Sequence, residues 1–104
     1  MLKKLKRNMA DYDITLEELK FKQQNGARII DVRNNREYEE GHIEGSINIP
    51  EYEINHSFEK IIENKSATIV LYCSSGYRSV NAYKKLKKMG YMHVYNLYEG
   101  LENY

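Results

Sequence analysis

Residues 68–79 read TIVLYCSSGYRS. The first five are apolar almost throughout, a pattern that suits a central parallel strand covered on both faces. CSSGYR then reads as a loop. From Ser79 to Met89 the spacing turns helical: Ala82, Tyr83, Leu86 and Met89 share one face, while Lys84, Lys85, Lys87 and Lys88 fall largely on the other. Gly90 closes that helix, and residues 93–97 form the next strand. Strand, loop, helix and strand in this order build a parallel α/β sheet.

The residues upstream continue the alternation. Thr15 and Glu18 form a capping box, in which the threonine hydroxyl satisfies an early helix N–H and the glutamate reaches back. That helix runs to about Gln24, where Asn25-Gly26 stops it. RIIDV, residues 28–32, is a short buried strand. Asn35 caps a brief helix over 36–40, ended by Gly41. Residues 46–49 are extended and lead into Pro50, the sole proline. Phe58, Ile61 and Ile62 recur at helical spacing, which predicts a helix over about 56–63.

The whole chain is 104 residues, so a single domain is expected. A chain this long hides roughly 60–70% of its unfolded surface on folding and needs no metal or disulfide staple. One cysteine makes neither an internal disulfide nor a zinc cluster. It fits a reducing compartment, and the cytoplasm is the expected location. His42, His56 and His93 are scattered without metal-ligand spacing. With Lys+Arg at 16 and Asp+Glu at 15, the charge balance gives no reason to expect nucleic acid as a partner. MLKKLKR is basic, but NMADYD follows it where a secretion signal has an apolar run. No stretch is long and apolar enough to span a membrane. Residues 1–11 are therefore expected to be a basic extension, with Lys3, Lys4, Lys6 and Arg7 solvated, and residues 12–104 the domain.

In a parallel α/β sheet, ligands sit beyond the carboxyl ends of the strands, and Cys73 stands at that end of the most apolar strand. A helix starting at Ser79 offers unsatisfied N–H groups and the positive end of its dipole. A Ser/Gly loop can turn successive N–H groups inward to cradle an anion. Sulfur held there is favoured as thiolate, its nucleophilic form. Gly76 permits backbone conformations closed to other residues. Arg78 adds a planar fork of donors for an oxyanion. A lone cysteine is often only a small buried hydrophobe; its position before this loop and helix start favours a functional role.

Three segments resemble the rhodanese family. DVRNNREYEEGHIEGSINIP, residues 31–50, is similar to its upstream signature, and CSSGYRS, residues 73–79, to the active-site loop of its single-domain members. NLYEG, residues 96–100, resembles the closing segment, although Glu99 stands where the family usually has glycine, and the chain ends in Tyr104 where a tryptophan is usual. The resemblance covers about residues 12–104. It implies a rhodanese-like α/β fold, a five-stranded parallel sheet flanked by helices on both faces. It also implies sulfur transfer through a persulfide on Cys73, with Ser74, Ser75, Gly76, Tyr77, Arg78 and Ser79 binding the substrate and Asp31 and Arg33 supporting the site. No metal or organic cofactor is implied. The expected partners are a small-molecule sulfur donor, thiosulfate or a persulfide, and a thiol or cyanide acceptor. A sulfur-relay protein is a further candidate, and neither nucleic acid nor membrane is expected.

Phosphatases and arsenate reductases of the same fold are the enzymatic alternative. Their loop is one residue longer, giving a cradle wide enough for a tetrahedral oxyanion, whereas four residues separate Cys73 from Arg78. A phosphatase also needs a general acid; the loop has none, although Asp31 or Glu37 could lie near. A binding module with an incidental cysteine is the third reading. For the supporting residues, Asp31 could accept hydrogen bonds from the loop or from Arg78, but a structural pair of Arg33 with Glu37 is the favoured arrangement. His42 reads as a turn residue rather than a base. Tyr77 projects from the loop, either screening the sulfur or simply exposed.

Overall fold

The computed structural model describes residues 7–104. Five parallel strands form one sheet in the order β1-β5-β4-β2-β3. The strands are β1 (Asp13–Ile14), β2 (Arg28–Asp31), β3 (Ile47–Asn48), β4 (Thr68–Tyr72) and β5 (His93–Leu97). Between them lie α1 (Leu16–Gln24), α2 (Asn35–Glu40), α3 (Ile54–Ile61) and α4 (Tyr77–Lys88). Short 3-10 turns cover Glu51–Glu53 and Leu101–Asn103. The expected sheet, with helices on both faces, is the one observed.

β4 is central, and its side chains divide between two cores. Ile69, Leu71 and Cys73 point to one face, where they meet Ile54 and Phe58 of α3 and Ala82 and Leu86 of α4. Val70 and Tyr72 point to the other, against Leu19 of α1 and Leu97 of β5. Side chains alternate across a strand, so an apolar run without alternation is what a strand covered on both faces requires.

The Thr15/Glu18 capping box is present, with Glu18 N–H donating to Thr15 Oγ1 at 3.1 Å and Thr15 N–H to Glu18 Oε1 at 3.0 Å. Three helices have shifted boundaries. α2 is capped by Asn34 rather than Asn35, with Glu37 completing a second capping box. α3 begins at Ile54, two residues before the expected start, and ends at Ile61. α4 begins at Tyr77 rather than Ser79, a shift that bears directly on the site.

Lys3, Lys4 and Lys6 of the expected basic extension lie outside the described residues. Arg7 is not simply solvated as expected. Its guanidinium grips the buried carboxylate of Asp13 at 2.5 and 2.6 Å, and Asn96 Nδ2 donates to the same carboxylate at 2.9 Å. Tyr12 stacks on Tyr83 of α4 with ring centroids 4.0 Å apart. The segment just before β1 is thereby fastened to the edge of the sheet.

Candidate active site

β4 delivers Cys73 to the carboxyl edge of the sheet, where its side chain is fully buried. The chain then turns within three residues. Gly76, at φ 96°, takes the left-handed conformation that ends the loop and starts α4. No side chain caps this helix N-terminus. The sulfur takes that place: Sγ accepts the N–H of Gly76 at 3.1 Å and of Ser79 at 3.4 Å, and Ser79 Oγ lies 3.3 Å away. The helix starts two residues early because glycine at this conformation sets the first turn at once, and the N–H groups a helix start leaves open find the sulfur as acceptor. The loop proper is thus only residues 73–76, and Arg78 and Ser79 belong to the first turn of α4.

A second segment closes over this loop. Leu101 N–H donates to Cys73 O at 2.8 Å and Glu102 N–H to Ser74 O at 2.9 Å. The approach is so close that a Cβ on Gly100, which sits at φ 79°, would lie 2.3 Å from Ser74 O. The backbone of Glu99 packs against Gly76. Glu99 itself holds φ 67°, the single non-glycine residue with positive φ among those described, at the position where the related pattern has glycine.

The expected ion pairs are exchanged. Asp31 accepts from Arg33, not from the loop or Arg78: the contacts are 2.6 Å from Nη2, 3.1 Å from Nε and 2.9 Å from the Arg33 backbone N–H. Arg33 Nη2 also reaches Gly41 O at 2.6 Å. Asn48 Nδ2 donates to the carbonyls of both residues, at 3.0 and 2.9 Å. Arg33 does not pair with Glu37, because it precedes the cap of α2 and turns inward, away from that helix.

Glu37 instead pairs with Arg78, by two parallel bonds of 2.6 Å (Nη1 to Oε1) and 3.0 Å (Nη2 to Oε2). Ser74 Oγ donates to Glu37 Oε2 at 3.4 Å. The Arg78 fork, with help from the Asn34 backbone N–H, lowers the Glu37 carboxyl to about 2. At neutral pH it holds no proton to give, so it is not a general acid. The Arg78 guanidinium is raised, chiefly by its bond to Glu37.

The remaining residues take supporting places. Ser75 is exposed, and Tyr77 is 59% exposed on the outer rim. His42 stacks on Tyr38, ring centroids 3.7 Å apart, with Nδ1 2.8 Å from Tyr38 O, as suits a turn residue. Tyr72, one residue before the cysteine, receives the N–H of Ile43 at 3.0 Å and lies 3.1 Å from Ser46 Oγ, tying the end of β4 to the 41–46 turn. Burial pushes its hydroxyl up to about 12, so it stays protonated. Among the described residues, no three His, Cys, Asp or Glu side chains are grouped to hold a metal ion, and no helix is long and apolar enough to cross a membrane.

A parallel five-stranded sheet that presents a buried cysteine to helix N–H groups at its carboxyl edge defines an α/β domain with an amide-lined thiol site. The rhodanese-like domain model matches residues 15–104, and the chain belongs to that family. A thiosulfate sulfurtransferase, PspE of Escherichia coli, is 39% identical over 67 residues, 64% of each chain. A putative sulfur carrier protein of Bacillus subtilis, YrkF, is 35% identical over 94 residues, covering 88% of this chain and half of that protein. The chain therefore spans about half to two thirds of the length of these curated relatives. The human single-domain sulfurtransferase TSTD1 superposes with a TM-score of 0.76 over 89% of this chain and 94% of its own; at 24% identity, that likeness carries the fold alone.

Proposed function

We propose that the protein is a sulfurtransferase whose nucleophile is Cys73. The observation that carries this reading is the placement of Sγ as acceptor for the Gly76 and Ser79 N–H groups at the start of α4. Such donors stabilise negative charge on sulfur in its nucleophilic form. The thiolate attacks the outer sulfur of thiosulfate or of a persulfide. The donor's S–S bond breaks, and the leaving group, sulfite or a thiolate, departs with the electron pair. The enzyme now holds a persulfide, Cys73–S–S⁻ from thiosulfate, which takes a proton from water, or Cys73–S–SH directly from a protonated persulfide donor. A thiol or cyanide attacks the terminal sulfur, and Cys73 leaves as thiolate. This is two-step covalent catalysis.

Gly76 and Ser79 hold the sulfur through their N–H groups, Ser74 and Arg78 anchor the loop to Glu37, and Ser75 and Tyr77 form the rim past which donors enter. Asp31 and Arg33 support the edge of the sheet beneath. The cysteine is closed to solvent, so a donor reaches the sulfur only when the residues covering it give way. Residues 12–104 form the catalytic unit and residues 1–11 its extension, and a reducing compartment such as the cytoplasm would keep the lone thiol active. The phosphatase reading is weakened by the short loop and by Glu37, which is ionised and paired.

Mass spectrometry of the intact protein after thiosulfate or persulfide treatment tests the reading. One added sulfur atom is expected, lost on reduction and absent from Cys73→Ser. An adduct that persists in Cys73→Ser overturns the assignment, and hydrolysis of aryl phosphates faster than sulfur transfer overturns the function.

A further inference from the structure

Arg78 is the one cation in residues 73–79, the group an anionic donor would meet. Its fork is already occupied, since both terminal nitrogens bond the two oxygens of Glu37. Nor can Glu37 readily swing aside. It is the third residue of α2, where Oε1 accepts the Asn34 N–H at 3.1 Å and its own N–H donates to Asn34 Oδ1 at 2.9 Å. The second arginine near this edge, Arg33, is committed to Asp31 and Gly41 O and is nearly buried. The lysines of α4 begin at Lys84, two turns beyond the sulfur, and run to its far end. The loop flank therefore presents a guanidinium already neutralised by a carboxylate.

Thiosulfate carries two negative charges, and bringing it beside Glu37 sets charge against charge, with neither Arg78 nor Arg33 among the described residues free to compensate. A persulfide in its protonated form, R–S–SH, presents its outer sulfur without that charge, and its R group stays outside the loop. We infer that Glu37 is a specificity-determining residue which, by closing the Arg78 fork, selects persulfide donors over thiosulfate. This rests on the sulfurtransferase reading above. In the favoured step, the Cys73 thiolate attacks the outer sulfur of R–S–SH. The donor's S–S bond breaks, R–S⁻ leaves with the pair, and the proton stays on the new Cys73–S–SH. Sulfane sulfur is passed on without any outside oxidant or reductant. The persulfide can come from a small thiol or from a protein cysteine, because the shared chemistry is the unhindered outer sulfur.

The test follows the loading rate of the full chain from thiosulfate, from glutathione persulfide and from persulfidated serum albumin. Wild type loads faster from at least one persulfide than from thiosulfate, and the faster arm assigns the small or the protein source. Glu37→Gln keeps the capping box, which accepts glutamine, but removes the charge. Its thiosulfate rate relative to its persulfide rate rises about tenfold, the effect expected of a freed charge-assisted contact. A ratio unmoved by the substitution, or a wild type that prefers thiosulfate, overturns the inference. Should Glu37→Gln fail to fold, the salt dependence of wild-type thiosulfate loading decides: a flat profile agrees with a neutralised fork, and a steep fall with salt overturns it. A wild type that takes sulfur from none of the donors instead overturns the sulfurtransferase reading beneath it.

Discussion

Two arginine–carboxylate pairs flank Cys73. Asp31 and Arg33 are two residues apart, with side chains 0% and 9% exposed. Glu37 and Arg78 are brought together by the fold, with side chains 29% and 41% exposed. The first pair is enclosed by Gly41 O, Asn48 and the ring of Tyr72. The second faces water on one side and the loop on the other. A buried pair is expensive to break, because the surviving charge has no water to turn to. A partly exposed pair is screened, and its removal changes stability little. The same chemistry thus holds the sheet edge in one place and adjusts the charge of the site in the other.

The largest expected effect breaks the first pair. Asp31→Ala leaves the Arg33 guanidinium nearly buried and unpaired, and stability should fall by about 3–5 kcal/mol. Arg78→Ala should cost no more than about 1 kcal/mol, while disturbing sulfur loading from every donor through the loop. Urea denaturation of both variants measures the gap. Equal losses would mean that exposure is not what separates the pairs.

If the exposed pair contributes so little to folding, something else must hold the loop, and the backbone of residues 100–102 is placed to do it. Gly100→Ala sharpens this point. The new Cβ would press on Ser74 O, and φ 79° is costly for a residue with a side chain. A loss of about 1–3 kcal/mol is expected, together with slowed sulfur loading as the loop shifts. Gly90→Ala is the control, with φ 94° and open space around the added carbon. It should show a smaller loss and normal loading. Identical behaviour of the two would mean that the contact with Ser74 carries no weight.

Much of this arrangement was legible in the sequence because it is local. TIVLY reads as a doubly covered strand, the Thr15/Glu18 box as a helix start, and the cysteine before a glycine and an arginine as a site. β1 was not legible as an element, since its two residues are too few for periodicity; the fifth strand came only with the family resemblance. The start of α4 depends on the left-handed turn at Gly76, which the apolar spacing from Ser79 onward does not announce. The ion pairs were the least legible. Spacing of four suggested Arg33 with Glu37, but that rule holds only when both residues lie on the helix, and Arg33 lies before its cap. Nothing local announces that Glu37 will meet Arg78, because the meeting depends on β2 and β4 lying side by side.

The smallest effect tests whether the Glu37–Arg78 pair acts through charge at all. The Glu37 carboxyl sits at about 2 in the folded protein, below the ordinary glutamate value of roughly 4.3 that it regains on unfolding. A depressed folded value means that the unfolded chain binds a proton more readily, so stability is lost as protons are supplied. The contribution is therefore fully present above the ordinary value and fades as pH falls toward about 2. The pair is half open to water, so this contribution is at most about 1 kcal/mol and shrinks with salt. Asp13 is also depressed: burial works against its ionisation, but the bonds from Arg7 and Asn96 prevail. Acid destabilisation of the wild type alone thus mixes at least two carboxylates. The difference between wild type and Glu37→Gln removes the Asp13 part, because Asp13 is common to both. Urea denaturation of the two proteins at low salt, from pH 6 down to the lowest pH at which both unfold cooperatively, should show a gap that narrows below about pH 4.5. A gap that stays constant through that window would assign the contribution to the capping box and packing. The fork of Arg78 would then be open to an incoming anion at little electrostatic cost, and the two pairs would differ in burial but not in role.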